Sequence, residues 1–149
     1  MRCCFGQESD PDVISPLIAA GKVHPHIALA RLKKPHPLAG ERGVFATALL
    51  EKEVILGEYV GELSLTDAPK DLSRYACCLK LGDQFLVIDP KTIANELAFV
   101  NDYRNLGKEP NLGVTWIPHD GSFYFGYKTI CPIPAGQELL VDYGDLYWN

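Results

Sequence analysis

No apolar run in this 149-residue sequence approaches the roughly 18 residues that a membrane span needs. The first residues also lack the basic-then-apolar layout of a secretory leader. The two absences lead us to expect a soluble, intracellular chain with no membrane partner. A basic surplus is missing as well: 14 Lys and Arg stand against 19 Asp and Glu, a net charge of −5. That balance argues against direct nucleic-acid binding and suits a basic partner better. Cysteines are few and badly spaced for metal. Cys3, Cys4, Cys77, Cys78 and Cys131 contain no C-x-x-C pair, and their number is odd. Neither a metal site nor a disulfide framework is expected, and reduced thiols are. There is no internal repeat and no low-complexity tract.

What is present is a composition 47% hydrophobic, enough for one domain with a real core. Residues 1–25 read as an N-terminal extension. Within it Asp12 to Ala20 predicts a short helix ended by Gly21, with Val13, Ile14, Leu17 and Ile18 on one face. That face needs cover, either from the domain or from a second copy of the chain, so a homodimer is one expectation. His24-Pro25-His26 and Lys33-Lys34-Pro35-His36-Pro37 mark loops, with "HIALARLK" between them reading as a strand.

Past residue 40 the pattern is one of short strands. "GVFAT" and "VILGEYVGEL" are apolar and β-branched. "YACCLKL" and "QFLVID" flank Gly82-Asp83, a two-residue hairpin loop. "VTWI" and "SFYFGYKTI" flank a second turn at Pro118-His119-Asp120-Gly121, and Phe123, Phe125 and Tyr127 share one face. Asp89-Pro90 predicts the start of a short helix through Ile93 and Leu97. "ELLVDY" follows the turn Pro134-Ala135-Gly136. The expected fold is mostly β, several small sheets with short helices.

Three stretches carry candidate chemistry. "GERGVFAT", residues 40–47, sets two glycines before an apolar strand, which permits close backbone approach or simply makes a turn. "NELAFVNDYRNLGKEPN", residues 95–111, heads inward and then turns to Asn101-Asp102-Tyr103-Arg104 and Pro110-Asn111. "PAGQELLVDYGDLYW", residues 134–148, ends in Tyr143, Tyr147 and Trp148, an aromatic cluster that serves a core as readily as a ligand.

In this order, with "EYVGEL" at residues 58–63, these stretches resemble the motifs of the SET domain of protein lysine methyltransferases. The resemblance runs from about residue 26 to residue 148, so 26–149 is expected to form the SET domain. It implies a knot-like C-terminal crossing, in which the Asn101 segment and the Tyr143 segment pass each other. It also implies S-adenosylmethionine as cofactor and transfer of its methyl group to a protein lysine, with a basic histone tail as the favoured partner. Carried over position by position, Tyr143 is the catalytic tyrosine. Glu41, Arg42, Gly43, Val44, Asn101, Asp102, Tyr143 and Tyr147 fall at cofactor-binding positions, and Tyr59, Tyr75 and Val141 at the substrate channel. Val141 stands where a larger residue often limits methylation, so more than one methyl addition is expected. A nuclear or chromatin location follows if the protein works in a eukaryotic cell.

The departures are specific. Ala98 replaces the usual arginine, Asp102 the histidine, Tyr103 the serine, and Gln137 a glutamate. Glu41 stands at the first glycine of the opening motif, and the zinc-binding cysteine segments that flank many nuclear members are missing. The changes at Glu41, Ala98 and Asp102 keep open a SET-fold binding module with lost or weak catalysis, and the family's range of substrates keeps open a methyltransferase of a non-histone protein. A small β-rich interaction protein without cofactor is a third.

Overall fold

The computed structural model describes residue 18 and residues 20–144. Most of the helix expected from Asp12 lies outside the described residues, as does Tyr147. Its end is visible: Ile18 and Ala20 are helical, and Gly21 turns the chain with a φ of 63°. Ile18 is buried. The following residues lie against the body: the His24 N–H donates to the Leu56 carbonyl (2.8 Å). The Asn95 amide donates to the carbonyls of Glu58 (2.8 Å) and Gly21 (3.4 Å).

The described residues form ten strands and one 3-10 turn. In chain order the strands are β1 (Ile27–Arg31), β2 (Arg42–Ala46), β3 (Ile55–Glu58), β4 (Glu62–Thr66), β5 (Cys77–Leu81), β6 (Gln84–Asp89), β7 (Asn101–Asp102), β8 (Leu112–His119), β9 (Ser122–Thr129) and β10 (Leu140–Val141); the turn is Glu96–Phe99. They make four small sheets: β1-β2, β3-β9-β8, β4-β6-β5, and the pair β10-β7. All pairings are antiparallel except β10 with β7, which is parallel.

Both predicted hairpins form. The β8–β9 turn is tighter than expected, because the ladder runs out to His119 opposite Ser122. Asp120 and Gly121 alone make the reversal, with φ of 48° and 75°, the pair of left-handed residues that matches strand twist. On the shared face Phe125 and Tyr127 are buried, while Phe123 overhangs and is 68% exposed.

Two expectations change. "VILGEYVGEL" is not one strand, since β3 ends at Glu58 and β4 begins at Glu62 in a different sheet. The bend falls at Gly61, where a Cβ would sit 2.7 Å from the Asp89 carbonyl carbon, so only glycine fits. The helix expected from Asp89-Pro90 is also absent. The Asp89 carboxylate bonds Ser73 as well as the Lys91 N–H, and the chain after it makes only a turn. The helical turn starts later, capped by the Asn95 side chain, which accepts the Leu97 N–H at 3.2 Å. Ile93, left outside it, is 56% exposed.

One core unites the sheets. Val44, Leu56, Leu97, Ile133 and Leu139 have no exposed surface. Tyr59, Phe125 and Tyr127 meet edge to face beside them, with ring centroids 5.5–6.4 Å apart.

Candidate active site

The site forms where the chain crosses itself. β10 lies beside β7, with Leu140 opposite Asn101 and Val141 opposite Asp102. The Tyr103 N–H extends the pairing to the Val141 carbonyl (3.1 Å). From its other side the same segment is held by Asn111. The Asn111 side chain donates to the Glu138 carbonyl (2.9 Å) and accepts the Leu140 N–H (2.8 Å), while its own N–H donates to the Leu140 carbonyl (3.0 Å). Residues 138–143 therefore run between the 101–103 segment and Asn111. A strand only two residues long could not hold this place by its ladder alone, so side-chain amides complete it.

Two adjoining clefts open over the crossing, of about 260 and 310 Å³. Glu41, Arg74, Tyr75 and Asn101 line both. Arg31, Arg42 and Phe99 line only the smaller one; Asp102, Arg104 and Tyr143 line only the larger.

Asn101 sits at the junction and its orientation is fixed. Its amide nitrogen donates to the Arg42 carbonyl (3.0 Å) and to the Glu138 carboxylate (3.1 Å). Both amide protons are spent, which leaves its carbonyl oxygen as the acceptor it can offer a ligand. Glu138 is itself buried and takes a second bond from His36 Nε2 at 2.7 Å. The other ring nitrogen of His36 accepts the Leu38 N–H, so the proton resides on Nε2. His36 thereby anchors the loop whose Pro37 and Leu38 wall the larger cleft.

The predicted residues separate into those that line the clefts and those that support them. Glu41 pairs with Arg74 (2.7 Å) at the exposed rim. The Arg42 guanidinium lies over the Phe99 ring at 5.3 Å. Tyr75 packs against Phe99 with ring centroids 5.5 Å apart. Tyr143 lines the larger cleft, and its hydroxyl donates to the Val100 carbonyl (2.6 Å). Gly43 lies behind Asn101. A Cβ there would meet Glu138 Oε1 at 2.8 Å and Leu32 at 3.0 Å, so glycine lets the carboxylate reach Asn101. Val44, Tyr59 and Val141 line neither cleft and are buried in the core. Tyr59 supports the wall through its hydroxyl, which donates to the Tyr75 carbonyl.

Asp102 lines the larger cleft, yet its side chain is 5% exposed and turns to the protein. It accepts the N–H groups of Arg104 (2.7 Å) and Tyr143 (2.8 Å) and pairs with the Arg104 guanidinium (2.7 Å).

Sequence reading left Glu138, His36, Asn111 and Arg104 off the list of site residues. A carboxylate inside the apolar run "ELLV" was the available signal for Glu138, because burying one demands partners. Nothing local marked His36, whose partner is 102 residues away. Tyr127 was read only as a core residue. Burial raises its phenol well above the ordinary value, and the neighbouring Tyr59, Cys77 and Tyr143 add to the shift. Burial likewise pushes the Cys77 thiol up to about 12, with Cys78 contributing. Among the described residues no cluster of His, Cys, Asp and Glu could hold a metal ion.

Comparison with known proteins agrees with this geometry. No curated protein matches the chain significantly in sequence. Among solved structures, a chain of the polycomb repressive complex 2 from Chaetomium thermophilum superposes with a TM-score of 0.61 and 22% identity over 80% of this chain. A chain of an active polycomb repressive complex 2 in the stimulated state gives 0.61 and 21% over the same share. At that identity the likeness is one of fold, and this chain spans about 15% of the length of either. The family model for the SET domain matches residues 41–144, from the Glu41 rim through the crossing to the turn after Tyr143. The chain belongs to the SET domain family.

Proposed function

We propose that this protein transfers a methyl group from S-adenosylmethionine to lysine side chains of a protein. SET domains are generally protein lysine methyltransferases. The observation that carries the reading for this chain is the meeting of Asn101 and Tyr143 on one cleft above the crossing. The residues present fit the cofactor's chemistry. The free carbonyl oxygen of Asn101 suits an adenine amino group, Arg42 and Arg74 suit a carboxylate, and aromatic faces suit a cation. Bound S-adenosylmethionine supplies an electrophilic methyl group on a sulfonium.

The protein's part is to position and to dry. An incoming lysine is protonated in water and must arrive neutral, its proton left to solvent. Apolar and aromatic walls disfavour the ammonium form. Tyr143 donates its own proton to the Val100 carbonyl, so its oxygen can act as an acceptor for a hydrogen of the amine and aim the nitrogen lone pair. Tyr59 holds the backbone of Tyr75 and keeps that wall in place.

A basic lysine-containing tail, with a histone favoured, suits a chain of net charge −5, and such a substrate would place the protein at chromatin. More than one methyl addition belongs to the same reading; it rests on the resemblance at Val141, which itself lines neither cleft. The test is labelled methyl transfer to histones and to total lysate, read by mass spectrometry, beside cofactor binding by calorimetry. Tyr143→Phe is expected to cut turnover on the order of a hundredfold, the usual scale for one positioned group, with cofactor affinity unchanged. Cofactor binding without transfer would identify a binding module instead. No cofactor binding would overturn both readings. A product that stalls at one methyl would mean that another side chain, such as Tyr103 or Tyr124, narrows the channel.

A further inference from the structure

We propose that Asp102 and Arg104 are positioning residues for Tyr143: their ion pair carries the strand pairing past its end and fixes the tyrosine's backbone. The inference rests on the methyltransferase reading for its kinetic part only. The β10–β7 ladder ends with Val141 opposite Asp102, and the last backbone bond joins the Tyr103 N–H to the Val141 carbonyl. Tyr143 lies one step beyond. There the Asp102 carboxylate takes over from the backbone, with Oδ2 accepting the Tyr143 N–H at 2.8 Å and Oδ1 accepting the Arg104 N–H at 2.7 Å.

Arg104 closes the arrangement. Its guanidinium reaches Asp102 Oδ2 at 2.7 Å and Asp142 Oδ1 at 2.9 Å, so it bridges the anchor and the residue just before the tyrosine. Tyr143 is thus held at both ends by one short segment: its amide by Asp102 and its hydroxyl by the Val100 carbonyl. Anchor and tyrosine move as a unit. A histidine at position 102 could not do this, because a neutral imidazole has a single acceptor nitrogen. The carboxylate accepts three bonds, one of them from a paired cation. The exchange that looks like damage to a motif installs a different support.

The experiment compares wild type, Asp102→Ala and Arg104→Gln by amide hydrogen exchange and by steady-state kinetics. The Leu140 amide, bonded to the Asn111 side chain, is the internal control. In Asp102→Ala the Tyr143 amide is expected to exchange at least tenfold faster while Leu140 is unchanged. The turnover number should fall on the order of a hundredfold, the scale of a small misplacement, with KM for the cofactor within about threefold of wild type. Arg104→Gln leaves the carboxylate in place and should show the same pattern more weakly, with Tyr143 exchange about threefold faster and turnover about tenfold lower. If Asp102→Ala does not fold, Arg104→Gln decides. Unaltered Tyr143 exchange in the folded variants overturns the proposal, as does a loss that appears wholly in KM. A wild-type protein that transfers no methyl group overturns the proposed function alone, since the exchange measurement still tests the support.

Discussion

The crossing of residues 101–111 with 138–143 and the sheet β4-β6-β5 hold themselves together by different means. The crossing has a ladder two residues long, and its other bonds come from the side chains of Asn111, Asn101, Asp102 and Glu138. The sheet has full five-residue ladders on both sides of β6 and scarcely any side-chain bonds between its strands. It also leaves leucine uncovered, with Leu63, Leu65 and Leu81 exposed by 69%, 57% and 49%. A ladder fixes register but allows bending and twist. A set of buried side-chain bonds fixes atoms, because each group left unpaired is penalised in full. Tyr143, the tyrosine proposed to orient the amine, stands on the second kind of structure. Chemistry that depends on alignment belongs there, and the sheet is the part of this molecule with room to adapt.

The largest expected effect comes from breaking the crossing. Asn111→Ala strips partners from the Glu138 carbonyl and the Leu140 N–H, both within the buried segment. Each orphaned group costs about 1–3 kcal/mol, so the loss should be about 2–6 kcal/mol in a denaturant titration. A loss under about 1 kcal/mol would mean that water replaces both bonds, and the contrast with the sheet would fail.

The same contrast explains what the sequence could and could not disclose. Strands held by ladders announce themselves locally. "YACCLKL", "QFLVID" and the β8–β9 pair were legible through alternation and turn residues, and each formed as a hairpin. The crossing was legible only through the resemblance of "AFVNDY", "PN" and "ELLVDY" to a known family, because its bonds join residues far apart in the chain. Glu138 is 102 residues from His36 and 37 from Asn101. No periodicity encodes such a pairing. Asp102 shows the limit from the other side. The resemblance located the position, but only the three-dimensional contacts with Arg104 and Tyr143 show what its carboxylate does. The missing helix after Asp89 has a like cause, since its carboxylate is shared with Ser73, 16 positions earlier.

Asp89 sharpens the comparison, being a place where the sheet borrows the crossing's method. At the end of β6 its carboxylate accepts the Ser73 N–H (2.9 Å) and the Ser73 hydroxyl, which pins the loop carrying Tyr75 into the cleft. Burial alone would raise the Asp89 carboxyl. The Ser73 bonds, helped by Lys91, outweigh it and hold the group below its ordinary value. A depressed folded value means stability that is present above the unfolded carboxylate value of about 3.9 and is lost as pH falls through the folded one. The difference in unfolding free energy between wild type and Asp89→Asn should therefore be full at pH 7 and shrink below about pH 4. A difference that stays constant from pH 7 to pH 3 would show that the bonds to Ser73 do not depend on the charge.

The smallest effect is expected where the sheet is most exposed. Leu63 and Leu65 point to one face of β4, opposite Ile88 and Leu86 on β6. Their partners are buried or half-buried, so the face begins in the core and runs out past the last strand. With more than half of each side chain in solvent, little apolar area is withdrawn from water on folding. Truncation to serine should then cost within about 0.5 kcal/mol at each position, as for ordinary surface changes. The ladder bonds of β4 are made by the backbone and survive the substitution. Denaturant titration of Leu63→Ser, Leu65→Ser and the double variant checks this at one protein concentration and again at a tenfold higher one. Additive losses near zero would show that the strand is held by its ladder alone. A loss above about 1.5 kcal/mol per leucine would mean that the face is covered in solution. Dependence of that loss on protein concentration would identify the cover as a second copy of the chain.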